Sequence, residues 1–283
     1  MEDKAIATRT RFAPTPSGYL HIGNLTHLLV VQQVARKHNL SILLRIDDLD
    51  RQRYKTAYVQ YLFDVLQIYD ISMEGPRDIS DFEQRYSQLH RLPIYKQWLD
   101  ELVSEGMAFP CTCSRTDVFN RTGSARYDGY CLQHTAAPNK PVAYRFNTAN
   151  LGKVAPRWTE VKNVVDREMP FFKVWTIDDR PSYQLASVAD DVYYQVSHIV
   201  RGTDLWPSTC AQLLLAKAVP SLHPFLHSTF YHHPVLVDQY GDKLSKSVQK
   251  QKEYPPSLPT YQSLVQQRDT LLTEAEVMNL NLV

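Results

Sequence analysis

Short apolar runs and longer periodic apolar stretches alternate along the chain, which predicts strands and helices in turn. Residues 5–12 are typical of a first strand, and the strongly apolar residues 25–37 are typical of a helix that follows it. Further strands are predicted at 42–46 and 195–200, and further helices at 57–69, 82–105 and 211–218. This alternation indicates an α/β fold with a mostly parallel sheet and crossover helices.

The alternation stops between residues 111 and 175, where turn residues separate short β-like runs at 142–146 and 171–176. We therefore expect an α+β insertion between two halves of one nucleotide-binding domain. The expected domains are a first half at 1–110, the insertion at 111–175, a second half at 176–248 and a short helical C-terminal segment at 249–283. One helix is predicted in that last segment, at 261–279.

The composition is typical of a globular cytoplasmic protein. The 283 residues are 43% hydrophobic, which is enough to form a substantial core. No stretch approaches the roughly 18 consecutive apolar residues of a membrane span, and residues 1–4 lack the apolar region of a secretory signal. Because the net charge is only +1, a nucleic acid would have to be bound by a local patch. We expect a cytoplasmic monomer with no membrane partner.

Residues 243–247, Lys-Leu-Ser-Lys-Ser, place two lysines beside small hydroxyl residues in a predicted loop. Lysine is a flexible point charge for phosphate oxygens, so Lys243 and Lys246 suit a mobile clamp on a polyphosphate. Taken alone, such a run is more often a solvated surface loop. Its interpretation therefore depends on the rest of the chain.

Residues 10–24 run from the end of the first predicted strand through the turn that leads to the first predicted helix, a place where α/β folds bind ligands. Pro14 and Pro16 stiffen the chain after the strand, and Gly23 lets a flat base or sugar approach the backbone. His21 and Asn24 lie in the first turn of the helix, where free backbone N–H groups favour an anion. The sequence predicts a phosphate-binding turn here, although an ordinary capped turn has the same local pattern.

The two motifs together, His21-Ile-Gly-Asn24 and Lys243-Leu-Ser-Lys-Ser247, resemble the "HIGH" and "KMSKS" signatures of class I aminoacyl-tRNA synthetases. Residues 11–18, 45–50 and 200–204 narrow the resemblance to the glutamyl and glutaminyl branch. The resemblance implies a Rossmann-like domain that activates an amino acid with ATP and Mg²⁺, with His21, Lys243 and Lys246 in catalysis. The implied ATP-binding residues are Thr15, His21, Gly23, Asn24, Lys243, Ser245 and Lys246.

The charge of the substrate indicates where an amino acid would bind. Glutamate carries a second carboxylate, and the planar fork of arginine pairs with a carboxylate in two hydrogen bonds. Arg11 and Arg201, each beside a predicted strand end, are the candidates. The resemblance adds Asp47, for the α-ammonium group, and Tyr183 in the pocket wall. The implied glutamate-binding residues are Arg11, Ala13, Thr15, Asp47, Tyr183 and Arg201.

Two positions depart from the family pattern. Asp47 stands where glutamyl enzymes usually carry glutamate, and it resembles the glutaminyl branch. Arg201 favours glutamate, because a buried guanidinium beside a neutral amide would be costly. Asn24 replaces the last histidine of "HIGH"; it donates a hydrogen bond but supplies no positive charge. Lys246, and to a lesser degree Lys243, would then neutralise more of the negative charge of the transition state.

Three of the four cysteines, Cys111, Cys113 and Cys131, lie close together in the predicted insertion. Such clustered thiols in an intracellular protein are more often zinc ligands than a disulfide, and tetrahedral zinc needs a fourth ligand. By residue pattern the first choice is His134, with Tyr127 and Tyr130 as alternatives. Buried reduced cysteines without metal are a further interpretation. The remaining Cys210 is expected to be a small packed residue.

The same cysteines sharpen the resemblance. The short glutamyl-queuosine tRNA-Asp synthetases carry Cys-x-Cys and Tyr-x-x-x-Cys with the tyrosine as fourth zinc ligand, and Tyr127 has that spacing to Cys131. This implies one structural zinc ion held by Cys111, Cys113, Tyr127 and Cys131.

We expect the segment after residue 247 to be too short for an anticodon-binding domain. With the resemblance, this implies ATP-dependent activation of L-glutamate and its transfer to the queuosine base of tRNA-Asp. One alternative is a truncated glutamyl-tRNA synthetase that charges tRNA-Glu. Another is a non-catalytic synthetase paralogue that binds tRNA or an amino acid.

Overall fold

The computed structural model describes residues 8–134, 140–235, 255–273 and 276–278. The loop at 243–247 therefore lies outside the described residues. The strands are β1 Arg9–Phe12, β2 Ser41–Leu44, β3 Ala108–Cys111, β4 Ala143–Phe146, β5 Lys173–Trp175, β6 His198–Gly202, β7 Thr229–His233 and β8 Glu276–Met278. The α-helices are α1 Ile22–His38, α2 Thr56–Ile68, α3 Ile79–Asp81, α4 Leu92–Ser104, α5 Arg115–Thr122, α6 Tyr130–Gln133, α7 Thr159–Glu168, α8 Tyr183–Tyr193, α9 Trp206–Ala218 and α10 Tyr261–Thr273.

The described residues fall into two compact units. The first takes those within Met1–His90, Gln195–Asp204 and Ser228–Leu280, and the second takes those within Arg91–Tyr194 and Leu205–His227. The second unit is therefore larger than the insertion expected at 111–175, since it also contains residues 91–110, 176–194 and 205–227. One physical reason is that β3 forms a sheet with β4, while the start of α4 is tied to α8 by a buried ion pair.

The first unit is built on parallel strands. β1 pairs with β2 in parallel, from Arg9 opposite Ser41 to Phe12 opposite Leu44, and β6 pairs with β7 in parallel. The backbone N–H of Ser197 donates to the carbonyl of Arg9 at 2.9 Å, which joins the start of β6 to β1. β8 adds an antiparallel strand beside β7. The predicted α/β class with a mostly parallel sheet is confirmed.

α1 forms the crossover between β1 and β2, as its apolar pattern predicts. The buried side chains of its apolar face include Leu25, Leu28 and Leu29, which pack with Phe12 of β1. Its C-terminal cap, Asn39, has a φ of +52°, a left-handed conformation that asparagine tolerates better than most residues. This helix brings its N-terminus to the point where β1 ends, which positions the candidate site.

The second unit contains the antiparallel sheet β3-β4-β5. Asp190 of α8 is fully buried and accepts hydrogen bonds from Arg91 Nε at 2.7 Å and from the Tyr95 hydroxyl at 2.6 Å. A buried carboxylate needs such partners, because an unpaired charge in the interior is costly. The network therefore holds the start of α4 against α8.

Two predicted helices have different bounds in the structure. The single helix predicted at 82–105 is wrong: a π-helical turn, Phe82–Tyr86, and a 3-10 turn, Gln88–Arg91, precede α4. Asp48 accepts hydrogen bonds from the Ser87 hydroxyl at 2.6 Å and the Gln88 N–H at 2.8 Å, and these contacts replace regular helical bonds. The helix predicted at 261–279 ends at Thr273, because the backbone then pairs with β7 as β8.

Some elements were not predicted at all. They are β3, β7, α3, α5, α6, α7 and α8. No helix among the described residues combines the length and the apolar character needed to span a membrane.

Candidate functional site

The N-terminus of α1 is held by a reciprocal pair of hydrogen bonds. His21 Nδ1 accepts from the Gly23 N–H at 3.1 Å, and Asn24 Oδ1 accepts from the His21 N–H at 3.1 Å. Because Nδ1 of a neutral imidazole acts as acceptor here, the ring proton is assigned to Nε2. His21 thus caps the helix with Nδ1, and in this tautomer Nε2 carries the ring proton.

The same cap determines what Asn24 can offer. Its side-chain oxygen is engaged with the backbone of His21, so its NH₂ group is the part that can meet a ligand. The first turn of α1 contains no acidic residue, and the helix dipole places partial positive charge there. This end of α1 therefore favours an anion such as a phosphate group.

The two candidate arginines lie near the carboxyl ends of neighbouring strands. Arg11 of β1 is 4% exposed, Arg201 of β6 is 2% exposed, and Arg11 Nη1 donates to the Val200 carbonyl at 3.2 Å. The structure thus places two buried guanidinium groups on adjacent strands of the first unit. Burial, reinforced by the Arg201 charge, lowers the pKa of the neighbouring His232 to about 4, so this imidazole is neutral near pH 7.

Asp47 lies in the loop after β2. Its backbone N–H donates to the Pro14 carbonyl at 3.0 Å, which connects this loop to the one after β1. Arg45 donates two hydrogen bonds to the Asp47 carboxylate, from Nε to Oδ1 at 2.8 Å and from Nη2 to Oδ2 at 3.1 Å. An ionised carboxylate is an acceptor-only group of the kind that pairs with an ammonium group.

The remaining predicted substrate residues are distributed over the chain. Ala13 and Thr15 lie in the loop between β1 and α1, together with His21, and the Thr15 carbonyl accepts from the Ser17 N–H at 2.9 Å. Tyr183 is the first residue of α8 in the second unit and is 44% exposed. The predicted ATP-binding residues Lys243, Ser245 and Lys246 lie outside the described residues.

The predicted cysteine cluster forms in the second unit. The sulfur atoms of Cys111, Cys113 and Cys131 lie within 4.8 Å of one another. The Tyr127 hydroxyl lies 3.4 Å from Cys111 Sγ and accepts from the Cys131 N–H at 2.8 Å. Three sulfurs and one phenolic oxygen in a single cluster fit the closed tetrahedral set of a structural zinc site.

Of the alternatives for the fourth ligand, the geometry favours Tyr127. His134 is exposed; its Nδ1 is 2.9 Å from the Tyr130 carbonyl, and its ring stacks on that of Tyr130 with centroids 3.9 Å apart. The position of His134 therefore does not support it as the fourth ligand, although it was the first choice from the residue pattern alone. Tyr127, by contrast, is buried with its hydroxyl at the cluster. Cys210 is fully buried in α9, as expected of a packed residue.

The thiols of the cluster differ in their surroundings. Burial raises the pKa of Cys111, but hydrogen bonds with Tyr127 and Arg145 outweigh it, so the net direction is downward. For Cys113, burial, aided by the contact with Cys131, raises the pKa to about 11. The cluster thus combines a thiol that ionises readily with one that does so reluctantly without a bound cation.

Some residues at these sites were missed by sequence reasoning. The buried Asp48 anchors the loop after β2, and an adjacent pair of acidic residues in an apolar stretch could have drawn attention to it. His27 Nδ1 lies 2.9 Å from His233 Nε2, and no local sequence pattern predicts this pairing. Arg145 donates to Cys111 Sγ at 3.2 Å; its only signal is a charged residue between the apolar residues of β4.

Most of the chain is similar in sequence to known proteins. The family model described as the catalytic domain of class I tRNA synthetases (E and Q) matches residues 7–255. A glutamate–tRNA ligase of Dehalococcoides mccartyi is 31% identical over 253 residues, and one of Legionella pneumophila is 33% identical over 254 residues. These matches cover 84% and 85% of this chain but 50% and 51% of the relatives. The chain therefore spans about half the length of the curated relatives it matches.

The fold has a counterpart among solved structures. The crystal structure of a glutamate-tRNA synthetase from Elizabethkingia anophelis superposes with a TM-score of 0.66 at 21% sequence identity. The superposition covers 88% of this chain and 54% of that chain. At this identity the likeness concerns the fold alone.

Proposed function

The chain belongs to the catalytic-domain family of class I tRNA synthetases for glutamate and glutamine, and on this premise we propose that it activates L-glutamate with ATP. The products are glutamyl-adenylate and pyrophosphate. The observation that carries the proposal is the pair of buried arginines, Arg11 and Arg201, on adjacent strand ends of the unit that holds the α1 N-terminus. Two guanidinium groups suit an amino acid with two carboxylates.

The pair also favours glutamate over glutamine. A buried guanidinium forms charge-assisted, two-pronged hydrogen bonds with a carboxylate, whereas a neutral amide accepts only a weaker bond. Asp47, held by Arg45, would accept the α-ammonium group, and Ala13 and Thr15 would line the same pocket in the first unit. The substrate-binding role of Tyr183, which lies in the second unit, stays a prediction from the resemblance.

In the reaction, the α-carboxylate attacks the α-phosphorus of ATP in line and pyrophosphate leaves. The attacking group is already an anion, so the step depends on neutralising charge on the phosphates and not on a general base. His21 Nε2 and the Asn24 amide would donate to phosphate oxygens at the α1 N-terminus, with Gly23 admitting the adenosine. Lys246 and Lys243 would supply positive charge, and Mg²⁺ would stabilise the leaving group.

For the second step we propose transfer of glutamate to the queuosine base of tRNA-Asp. The support is the resemblance of the Cys-x-Cys and Tyr-x-x-x-Cys pattern to the glutamyl-queuosine enzymes, together with the Tyr127 hydroxyl at the cysteine cluster. The cluster would hold one zinc ion and fix the fold around it. With four protein ligands, no position is left for a reacting water.

A second acceptor has support of its own. The curated relatives are named glutamate–tRNA ligases, so transfer to the 3′ end of tRNA-Glu is the alternative. Both acceptors follow the same first step, and only the RNA distinguishes them.

Pyrophosphate exchange tests the first step. Labelled pyrophosphate should enter ATP in the presence of L-glutamate, with Mg²⁺, and should not do so with L-glutamine or L-aspartate. The assay is run with and without tRNA, so that a requirement for RNA does not hide activity. Exchange with glutamine alone would contradict the assignment of Arg201, and no exchange with any amino acid would favour the non-catalytic paralogue.

A further inference from the structure

Arg145 is a buried arginine that the proposed chemistry leaves without a task. It lies on β4, the central strand of the antiparallel sheet, opposite Phe109 of β3 and Lys173 of β5. Arg145 is 8% exposed. A guanidinium at such a position is rare unless it is paired, because desolvation of the charge is costly.

The guanidinium touches two of the four residues of the cysteine–tyrosine cluster. Nε donates to Cys111 Sγ at 3.2 Å, and Cζ lies 3.8 Å from the centre of the Tyr127 ring. The planar group thus meets a sulfur with its edge and an aromatic ring with its face. One side chain thereby fixes the relative position of a residue on β3 and a residue of the loop before α6.

A third contact joins the same guanidinium to the segment just before β5. Nη1 donates to the Phe171 carbonyl at 3.0 Å. Phe171 has a φ of +50°, a left-handed conformation that a bulky residue adopts only when its surroundings impose it. Its ring meets Tyr127 edge to face, and it lies so close to Gly129 that an added Cβ there would be 3.0 Å from a ring carbon. Arg145 therefore supports the aromatic wall of the cluster.

We propose that Arg145 is a positioning residue of the metal site, which orients Cys111 and Tyr127 and offsets the negative charge of the ligand set. Three thiolates and a phenolate carry more negative charge than one divalent cation neutralises, so an adjacent buried cation favours the complete set. This inference rests on the proposed zinc site and adds to it a residue outside the ligands.

Two other cations near the cluster are less suited to this task. Arg121 Nη2 is 3.9 Å from Cys113 Sγ, but the guanidinium is engaged by Asp128 at 2.9 Å on the surface. Lys173 pairs with Arg145 across the sheet and is half-buried. It acts on the cluster through charge alone, which makes Lys173→Met a matched control for the loss of one nearby positive charge.

The test measures zinc affinity, not activity. Wild-type protein, Arg145→Met, Arg145→Lys and Lys173→Met are titrated with Zn²⁺ against a chromophoric chelator. Loss of an outer-shell partner typically weakens metal binding by about 10- to 100-fold, and we expect this for Arg145→Met. Arg145→Lys should lose several-fold, since an ammonium keeps the charge but not the fork, and Lys173→Met should stay within about threefold.

A second measurement separates positioning from a merely structural role. Co²⁺ replaces Zn²⁺, and the ligand-field and thiolate-to-cobalt bands report the geometry of the ligand set. We expect altered bands in both Arg145 variants and wild-type bands in Lys173→Met. If Arg145→Met does not fold, the cobalt spectrum and zinc affinity of Arg145→Lys test the positioning role in its place.

The outcomes are distinct. Zinc affinity and cobalt spectra equal to wild type in the folded Arg145 variants would overturn the inference while leaving the zinc site intact. Equal losses in Lys173→Met and Arg145→Met would overturn the positioning role, because the loss of one nearby positive charge would then account for the whole effect. If the wild-type protein binds no zinc, the proposed metal site fails and the inference fails with it.

Discussion

At the scale of single residues, His21 combines two tasks in one ring: Nδ1 caps α1 and Nε2 remains a donor. His21→Asn should keep the cap, because asparagine is among the best N-cap residues, whereas His21→Ala should lose about 1 kcal/mol of stability. Both variants should lower the rate of glutamate-dependent pyrophosphate exchange by about 10²- to 10³-fold, the scale of one lost transition-state donor. Exchange at the wild-type rate in stable His21→Asn protein would remove this donor from the mechanism.

Arg201 offers the sharpest test of substrate charge. Arg201→Gln should raise the KM for glutamate by about 100-fold, on the scale of a lost charged hydrogen-bonding partner of 2–5 kcal/mol. The matched control is Arg9→Gln, on β1, where the guanidinium forms a partly exposed ion pair with Glu74 at 2.6 Å. Since such surface pairs contribute little, this variant should exchange like wild type. Equal effects of the two substitutions would argue against a specific role for Arg201.

Local sequence predicted some of these residues and not others. His21 and Asn24 were singled out, and the closeness of the three cysteines was predicted correctly, because their neighbours in the chain form recognisable motifs. Arg145 and the pair of His27 and His233 were not, since their partners are separated by 34 and 206 residues. Contacts of this kind depend on how strands are paired, and no local pattern encodes that.

At the scale of elements, the contact of α4 with α8 depends on one buried carboxylate. Asp190→Asn removes its charge while Arg91 stays buried, and breaking a buried pair in this way costs about 3–5 kcal/mol. The control is Asp100→Asn in an exposed pair with Lys96 on α4, expected to cost less than about 1 kcal/mol.

Urea unfolding measures both variants. All four tryptophans, Trp98, Trp158, Trp175 and Trp206, lie in the second unit, so tryptophan fluorescence reports on its unfolding. If the two variants had the same free energy of unfolding, α8 would be held by packing and not by this network.

The ends of some helices and strands are set by neighbouring residues, and the ends of others are set by residues far away in the sequence. α1 follows from an apolar stretch and its caps, both of which are local. The turns that break the predicted helix at 82–105 arise because Asp48, about 40 residues earlier, takes the hydrogen bonds of Ser87 and Gln88. β8 exists because it pairs with β7, and an isolated Glu-Val-Met segment carries no such signal.

At the scale of the whole molecule, stability should depend on pH through His232. Burial, and then the charges of Arg201 and His233, lower its pKa to about 4, while Asp204 acts in the opposite direction. The unfolded residue titrates near the usual value of about 6.5, so between these two pH values the unfolded chain binds more protons. Stability is therefore lost as the pH falls through this window, by about 2 kcal/mol from pH 7 to pH 5.

Urea unfolding followed by circular dichroism at the two pH values checks this expectation. His232→Gln should reduce the pH dependence, whereas His227→Gln, at an exposed position, should leave it as in wild type. A pH dependence that persists unchanged in His232→Gln would assign the effect to other groups.

The α/β class could be predicted for the whole chain because strands and crossover helices alternate in sequence. The acceptor RNA could not, since it depends on surfaces that no single motif describes. The most direct measurement supplies ATP, Mg²⁺ and labelled L-glutamate together with queuosine-containing tRNA-Asp, tRNA-Asp lacking queuosine, and tRNA-Glu. We predict label on queuosine-containing tRNA-Asp alone and its loss in Arg201→Gln. Label on tRNA-Glu alone would contradict the proposed acceptor, and label on none, without pyrophosphate exchange, would contradict glutamate activation itself.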